Sequence, residues 1–215
     1  MTDLNKPILP GTAASDYERY LRTDELLALQ KGDDEAVHHD EHLFQAVHQA
    51  SELWLKLACR EVEQATRVLD SGSAAAAVRL LRRANDVVPL LIDQLHMLEH
   101  MNPADYAVVR TALGHGAGFD SPGFRHVQQV SPPLGQAFAS LIAARRLALI
   151  DVYRGGGAHE DLYQAAEQLI TWDEGNLLWR THHLKVVERI IGGHVIGTQG
   201  TPVEVLGKRL DIRFF

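Results

Sequence analysis

Twelve histidines occupy 215 positions, and histidine is the side chain best suited to bind a metal or carry a proton near neutral pH. Their positions sort them. His38, His39 and His42 stand beside Asp40 and Glu41 just ahead of an apolar helical pattern. That spacing suits zinc, but a solvated first helical turn, where acidic groups meet the positive helix end, explains it better. His96 and His100 are four apart, on one helix face at metal-ligand spacing. Without carboxylate partners in other helices, a di-iron reading lacks a full ligand set. His48 and His183 are different, each alone in an apolar helical run, His48 near Phe44 and Leu55, His183 near Trp179, Val186 and Val187. A lone core histidine is more often structural. Two on separate core helices, each needing a partner for its ring nitrogens, raise the case for a shared cofactor, and haem iron is one such partner. Cys59, the only cysteine, excludes an intrachain disulfide and reads as a small buried hydrophobe.

The elements that must hold these side chains are helical. Residues 35–69 contain no Gly or Pro, and Leu43, Val47, Leu53, Trp54, Leu57, Ala58, Val62, Ala65 and Leu69 keep a helical spacing, which predicts a long core helix. Ser71-Gly72-Ser73 breaks it, and residues 74–100 resume the pattern with Pro89 as a kink point, giving a helical hairpin. Ahead of the hairpin, Thr23 reads as the cap of a short helix carrying Leu26, Leu27 and Leu29. Beyond it, Asn102-Pro103 caps a short helix that ends near Gly114, and residues 114–123, with four glycines, are irregular. Ser131-Pro132-Pro133 reads as the start of a helix running to about Arg154, where three glycines stop it. A last long helix spans residues 158–191 with a break near residues 171–173, followed by a second glycine-rich loop and a short apolar stretch. No alternating runs suggest a sheet. The expectation is an all-α bundle with two glycine-rich loops: an N-terminal arm over residues 1–15, ordered only against something else, and one domain over residues 16–215.

Composition narrows the partners. A hydrophobic fraction of 46% and a charged fraction of 23% are ordinary for a folded domain. A net charge of -7 argues against nucleic acid and acidic membrane as partners, which call for concentrated Lys and Arg, and favours a small molecule or a protein. With no signal-peptide pattern and no run of about 18 apolar residues, the expected location is the cytoplasm.

Several blocks then carry a resemblance. Tyr17-Glu18-Arg19-Tyr20-Leu21 and residues 24–30, His39-Asp40-Glu41-His42-Leu43-Phe44, His48-Gln49-Ala50-Ser51-Glu52-Leu53-Trp54-Leu55-Lys56, Gly118-Phe119-Asp120-Ser121-Pro122-Gly123-Phe124-Arg125, Trp179-Arg180-Thr181-His182-His183 with Val187-Glu188-Arg189, and Gly197-Thr198-Gln199-Gly200-Thr201 follow one another in this order. Together they resemble the tryptophan 2,3-dioxygenase family, within the wider group of haem-dependent aromatic oxygenases. Separated blocks in a family's order are a far more specific signal than one short motif.

The resemblance implies a helical bundle of the tryptophan/indoleamine 2,3-dioxygenase type enclosing a b-type haem. It implies insertion of O2 across the indole C2–C3 bond of L-tryptophan, giving N-formylkynurenine. His183, by its distance from Trp179 and Glu188, corresponds to the proximal iron ligand, with His182 its exposed neighbour. His48 corresponds to the distal histidine beside the indole N–H, Phe44 to a residue packing on the ring, Arg125 to the carboxylate partner and Thr198 to the group bonding the amino-acid head. Tyr17, Tyr20 and Leu21 correspond to residues reaching a neighbouring subunit's site, implying a homo-oligomer, dimer or tetramer. The chain departs from the family in three places. Pro122-Gly123 alters the turn before Arg125, although Ser121 as cap with Pro122 at the first helical position still suits a helix start there; Gly193-His194-Val195-Ile196 is one residue longer and less basic than its counterpart; and the family's additional helices are missing between residues 129 and 149. These departures keep open a relative acting on a modified tryptophan, another indole or tyrosine, with O2 or peroxide and one or two oxygens transferred. A non-enzymatic haem sensor or helical interaction protein is the remaining reading.

Overall fold

The longest apolar repeats become the longest helices. The structure, a computed structural model, describes residues 6–193 and 204–215, and no strand occurs among them. Helices α3 (Asp40–Asp70) and α4 (Ala74–Leu98) form the hairpin, turned at Gly72 with φ 91°. Helices α6 (Pro122–Ala144) and α8 (Glu160–Ile190) complete a four-helix bundle, with α4 between α3 and α8 and α6 on the other side of α3. Short helices connect or precede them: α1 (Asp16–Leu21), α2 (Thr23–Leu27), α5 (Pro103–Val109), α7 (Leu149–Arg154) and, after α8, α9 (Glu204–Lys208).

Several local signals act as read. Asn102 Oδ1 accepts from Ala104 N ahead of Pro103, and Ser121 Oγ accepts from Phe124 N ahead of α6. In the N-terminal segment, Ile8 and Leu9 N–H groups donate to Asp16, and Arg19 donates to the Ala13 carbonyl, which fastens these residues onto α1. Other expectations are corrected. Thr23 is not a cap, because Arg22, at φ 55°, joins α1 directly to α2. Helix α3 starts at Asp40 rather than near residue 35, and its buried face is Val47, Leu55, Ala58, Cys59, Val62, Ala65 and Leu69. Leu53, Trp54 and Leu57 point outward. Cys59 is buried, which pushes its thiol up to about 12 and leaves it an inert core group.

The largest correction concerns Ser131-Pro132-Pro133. These residues do not open a helix; α6 runs straight through them, and the break comes at residues 145–148, where Arg146 adopts φ 58°. A proline withdraws the N–H that would serve the carbonyl four residues earlier. Here those carbonyls belong to Gln128 and Gln129, both exposed, so water can serve them. On the inner side, the buried Trp172 indole N–H donates to Ser131 Oγ (2.9 Å), which donates to the Val127 carbonyl (2.6 Å). Helix α8 is unbroken at residues 171–173, and Trp172 within that stretch is fully buried. Ser131→Ala strands the indole N–H in the core and is expected to cost about 1–3 kcal/mol. Urea unfolding checks this, and adding Trp172→Phe, which removes the orphan donor, should recover part of the loss.

The apolar interior is divided. A main core from Leu55 and Val62 through Leu81, Leu134 and Leu162 to Trp172 fills most of the bundle, while Val47, Leu95, Leu98, Met101, Val186 and Ile190 form a smaller cluster at one end. Trp179 packs against both. The C-terminal residues return to α8, where Phe214 N–H donates to Asp173 (2.9 Å) and Arg180 donates to the Ile212 carbonyl (2.9 Å).

Candidate active site

The interval between the two apolar clusters holds both singled-out histidines. Helix α3 passes from Val47 in the small cluster to Leu55 in the main core, with His48 between. Helix α8 passes from Trp172 to Val186, with Trp179 and His183 between. Both helices pack on α4, and the two imidazoles are near enough for His48 to act electrostatically on His183.

His183 is half-buried and stacked on Trp179, with ring centroids 5.0 Å apart and planes at 12°. Phe124 extends the stack from α6, 3.7 Å from the Trp179 ring. Burial, and secondarily the nearby His48, lowers the His183 imidazole to about 4, so at neutral pH it is uncharged and keeps one nitrogen lone pair. Neither of its nitrogens has a hydrogen-bond partner among the described residues. Gly118, in the glycine-rich loop, lies against it: a Cβ there would stand 3.7 Å from Cε1 and Nε2. A neutral, unpartnered imidazole bordered by side-chain-free backbone fits a haem-iron ligand.

His48 does not have the buried setting expected of a core histidine. It is solvent-accessible, yet enough protein surrounds it that desolvation lowers its basicity, against smaller opposing effects of the Phe44 carbonyl and the Glu52 charge. His48 Nδ1 is 2.7 Å from the Phe44 carbonyl oxygen. A carbonyl only accepts, so Nδ1 carries the proton and the neutral ring leaves Nε2 as an acceptor. Phe44 stacks on the imidazole at 4.0 Å and lies 6.1 Å from Tyr106 of α5.

Arg125 occupies the first turn of α6, exposed and without an ion-pair partner among the described residues. What fixes that turn is a residue the sequence reading did not single out. Glu52, one turn after His48 on α3, accepts from Ser121 Oγ and from Gly123 N–H (2.9 Å). Gly123 is required for this approach: a Cβ there would fall 2.7 Å from Glu52 Oε2 and 2.7 Å from Leu55 Cδ1. A clue was present in the sequence, since Gly123 falls in the turn that departs from the family pattern.

The remaining expected residues divide. Thr198 and the loop around it lie outside the described residues. Tyr17, Tyr20 and Leu21 sit on α1, exposed by 69%, 78% and 45%, and α1 packs on α2 rather than near His48 or His183. His182 is half-buried rather than exposed, with its ring 5.6 Å from that of His96. His38 pairs with Asp105 and His42 with Asp33, and no group of three metal-ligating side chains assembles among the described residues. A separate, largely apolar cavity of about 400 Å³ lies behind the Glu52 contact, between Leu26, Leu29, Leu53, Lys56, Pro122 and His126. Neither histidine of the site lines it. Among the described residues, no helix is long and apolar enough to cross a membrane.

A family model described as tryptophan 2,3-dioxygenase matches residues 10–136, spanning both His48 and Arg125. The chain is 29% identical to the tryptophan 2,3-dioxygenase of Shewanella woodyi, with 93% of this chain and 86% of the relative covered. It is 30% identical to that of Bacillus thuringiensis strain Al Hakam (93% and 88% covered) and 31% identical to that of Caulobacter vibrioides (86% and 88%). These alignments, at 235–253 positions, are longer than the chain itself, so the relatives contain segments that it lacks. On the match over residues 10–136 and these identities, the chain belongs to the tryptophan 2,3-dioxygenase family.

Proposed function

We propose that the chain is a haem-dependent dioxygenase that cleaves the indole ring of L-tryptophan oxidatively, inserting O2 across C2–C3 to give N-formylkynurenine. Beyond family membership, the observation that carries this reading is the proximity of two neutral imidazoles on α3 and α8, His183 without a hydrogen-bond partner among the described residues and His48 with Nδ1 on the Phe44 carbonyl and Nε2 left to accept.

Haem b, when bound, supplies the oxygen chemistry, and the protein supplies ligation, orientation and exclusion of water. His183 holds the iron. His48 Nε2 accepts the indole N–H, orienting the ring, while Phe44, stacked on that imidazole, gives the ring an apolar wall. Arg125 binds the substrate carboxylate through two parallel bonds, which a planar guanidinium is shaped to make. Thr198 bonds the amino-acid head. Tyr17, Tyr20 and Leu21 complete a neighbouring copy's site in a dimer or tetramer; their exposure on α1 is what such a role requires.

Product mass spectrometry after turnover with 18O2 tests the reaction, using L-tryptophan, substituted tryptophans, indoles and tyrosine. Gain of two labelled oxygens on L-tryptophan is expected. One oxygen, or reaction only with another aromatic substrate, would instead assign the chain to a relative with altered specificity. The Pro122-Gly123 turn and the segments absent relative to other members favour that second reading. Purified chain that neither binds haem nor turns over would make it a non-enzymatic member.

A further inference from the structure

Two residues on which the proposed reaction depends, His48 and Arg125, lie on different helices, and something must fix one against the other. The amide N–H groups of a helix's first turn have no partner within the helix. In α6 one of them, Gly123 N–H, is answered by Glu52, which also receives the Ser121 hydroxyl. Ser121 Oγ in turn accepts from Phe124 N–H, so one carboxylate organises the turn from residue 121 to residue 124, immediately before Arg125. Glu52 is four residues from His48, on the same side of α3. Between them Ser51 donates to Gln94 of α4 (2.7 Å), pinning this part of α3 to the hairpin.

We propose that Glu52 is a positioning residue for substrate recognition: it clasps the start of α6 and so sets the distance and direction from the Arg125 guanidinium to the His48 imidazole. The proposal rests on the assignment of Arg125 to the substrate carboxylate. The clasp depends on the absence of a side chain at residue 123, because a Cβ there would overlap both Glu52 and Leu55. The same carboxylate forms part of the lining of the cavity behind it, so on that side α6 borders open space and Glu52 is the polar tie, while Phe124 stacked on Trp179 packs the turn from the inner side.

The test uses the full haem-loaded chain with Glu52→Gln and, from the other side of the contact, Ser121→Ala. Glu52→Gln keeps the shape but removes the charge from both hydrogen bonds. The expected result is a rise of about tenfold in KM for L-tryptophan with kcat within about twofold, since charge-assisted bonds are roughly twice as strong as neutral ones. The Soret absorbance per chain and the affinity for 3-methylindole, which has no carboxylate, should not change. In an Arg125→Leu background, Glu52→Gln should add little, the non-additivity expected of residues acting through one contact. Amide hydrogen exchange of the haem-free chain should be faster at Gly123 and Phe124 in Glu52→Gln and unaltered in α4. An unchanged KM in an active protein, equal loss on 3-methylindole, or full additivity with Arg125→Leu would each overturn the proposal. If the wild-type chain does not turn over L-tryptophan, the functional reading fails instead, and unaltered exchange at Gly123 would separately remove the clasp.

Discussion

His183→Ala is expected to abolish the Soret absorption of the purified chain, while His182→Ala leaves it in place. The two histidines are adjacent in sequence but project about 100° apart on an unbroken helix. His182 turns its ring to His96, whereas His183 stacks on Trp179 and lies beside Gly118 and near His48. Burial makes His183 a weak base, which keeps it neutral and free of competing protons at the pH where it must ligate. Losing a supporting partner of a ligand costs about 10–100-fold in metal affinity, and loss of the ligand itself should exceed that. Absorption spectra and pyridine-haemochrome titration of the three proteins, expressed alike, make the measurement. A Soret band retained in His183→Ala, or lost only in His182→Ala, would move the ligand assignment.

Arg125→Leu should raise KM for L-tryptophan roughly a hundredfold, the upper range for losing hydrogen bonds to a charged group. Two features support so large an effect. The guanidinium has no ion-pair partner among the described residues, so it is available to an incoming carboxylate. It also sits in the first turn of α6, where the helix dipole favours a negative group as well. Arg125→Lys should recover only part of the loss, because an ammonium cannot reproduce the two parallel bonds. Steady-state kinetics on L-tryptophan and 3-methylindole read the effect, and equal losses on both substrates would show that Arg125 acts other than on the carboxylate.

The sequence made the hairpin legible because its signals are local: an uninterrupted apolar spacing, a Ser-Gly-Ser break, then the spacing again. The Asn102-Pro103 and Ser121-Pro122 starts were legible for the same reason, since a cap and its partner lie within three residues. Pro132-Pro133 misled because the bond that holds α6 together there comes from Trp172, 41 residues away. The outward turn of Leu53, Trp54 and Leu57 was hidden because a broad apolar stripe does not reveal which of its edges meets the neighbouring helix. His48 and His183 were visible as histidines among apolar residues, yet their proximity depends on how α3 and α8 both pack on α4. Glu52 was invisible as a functional group because its partners, Ser121 and Gly123, are about 70 residues along the chain.

The divided interior has a consequence for how the bundle opens. The six-residue cluster of Val47, Leu95, Leu98, Met101, Val186 and Ile190 closes one end of the bundle separately from the main core. Loosening it exposes far less apolar surface than unfolding the whole domain, so opening at that end lies low on the ladder of local unfolding. The three long helices α3, α4 and α8 stay joined through the main core during such an opening. An opening there would leave the main core whole and re-close by repacking the same six side chains, so this end of the bundle can respond to its surroundings without unfolding the rest.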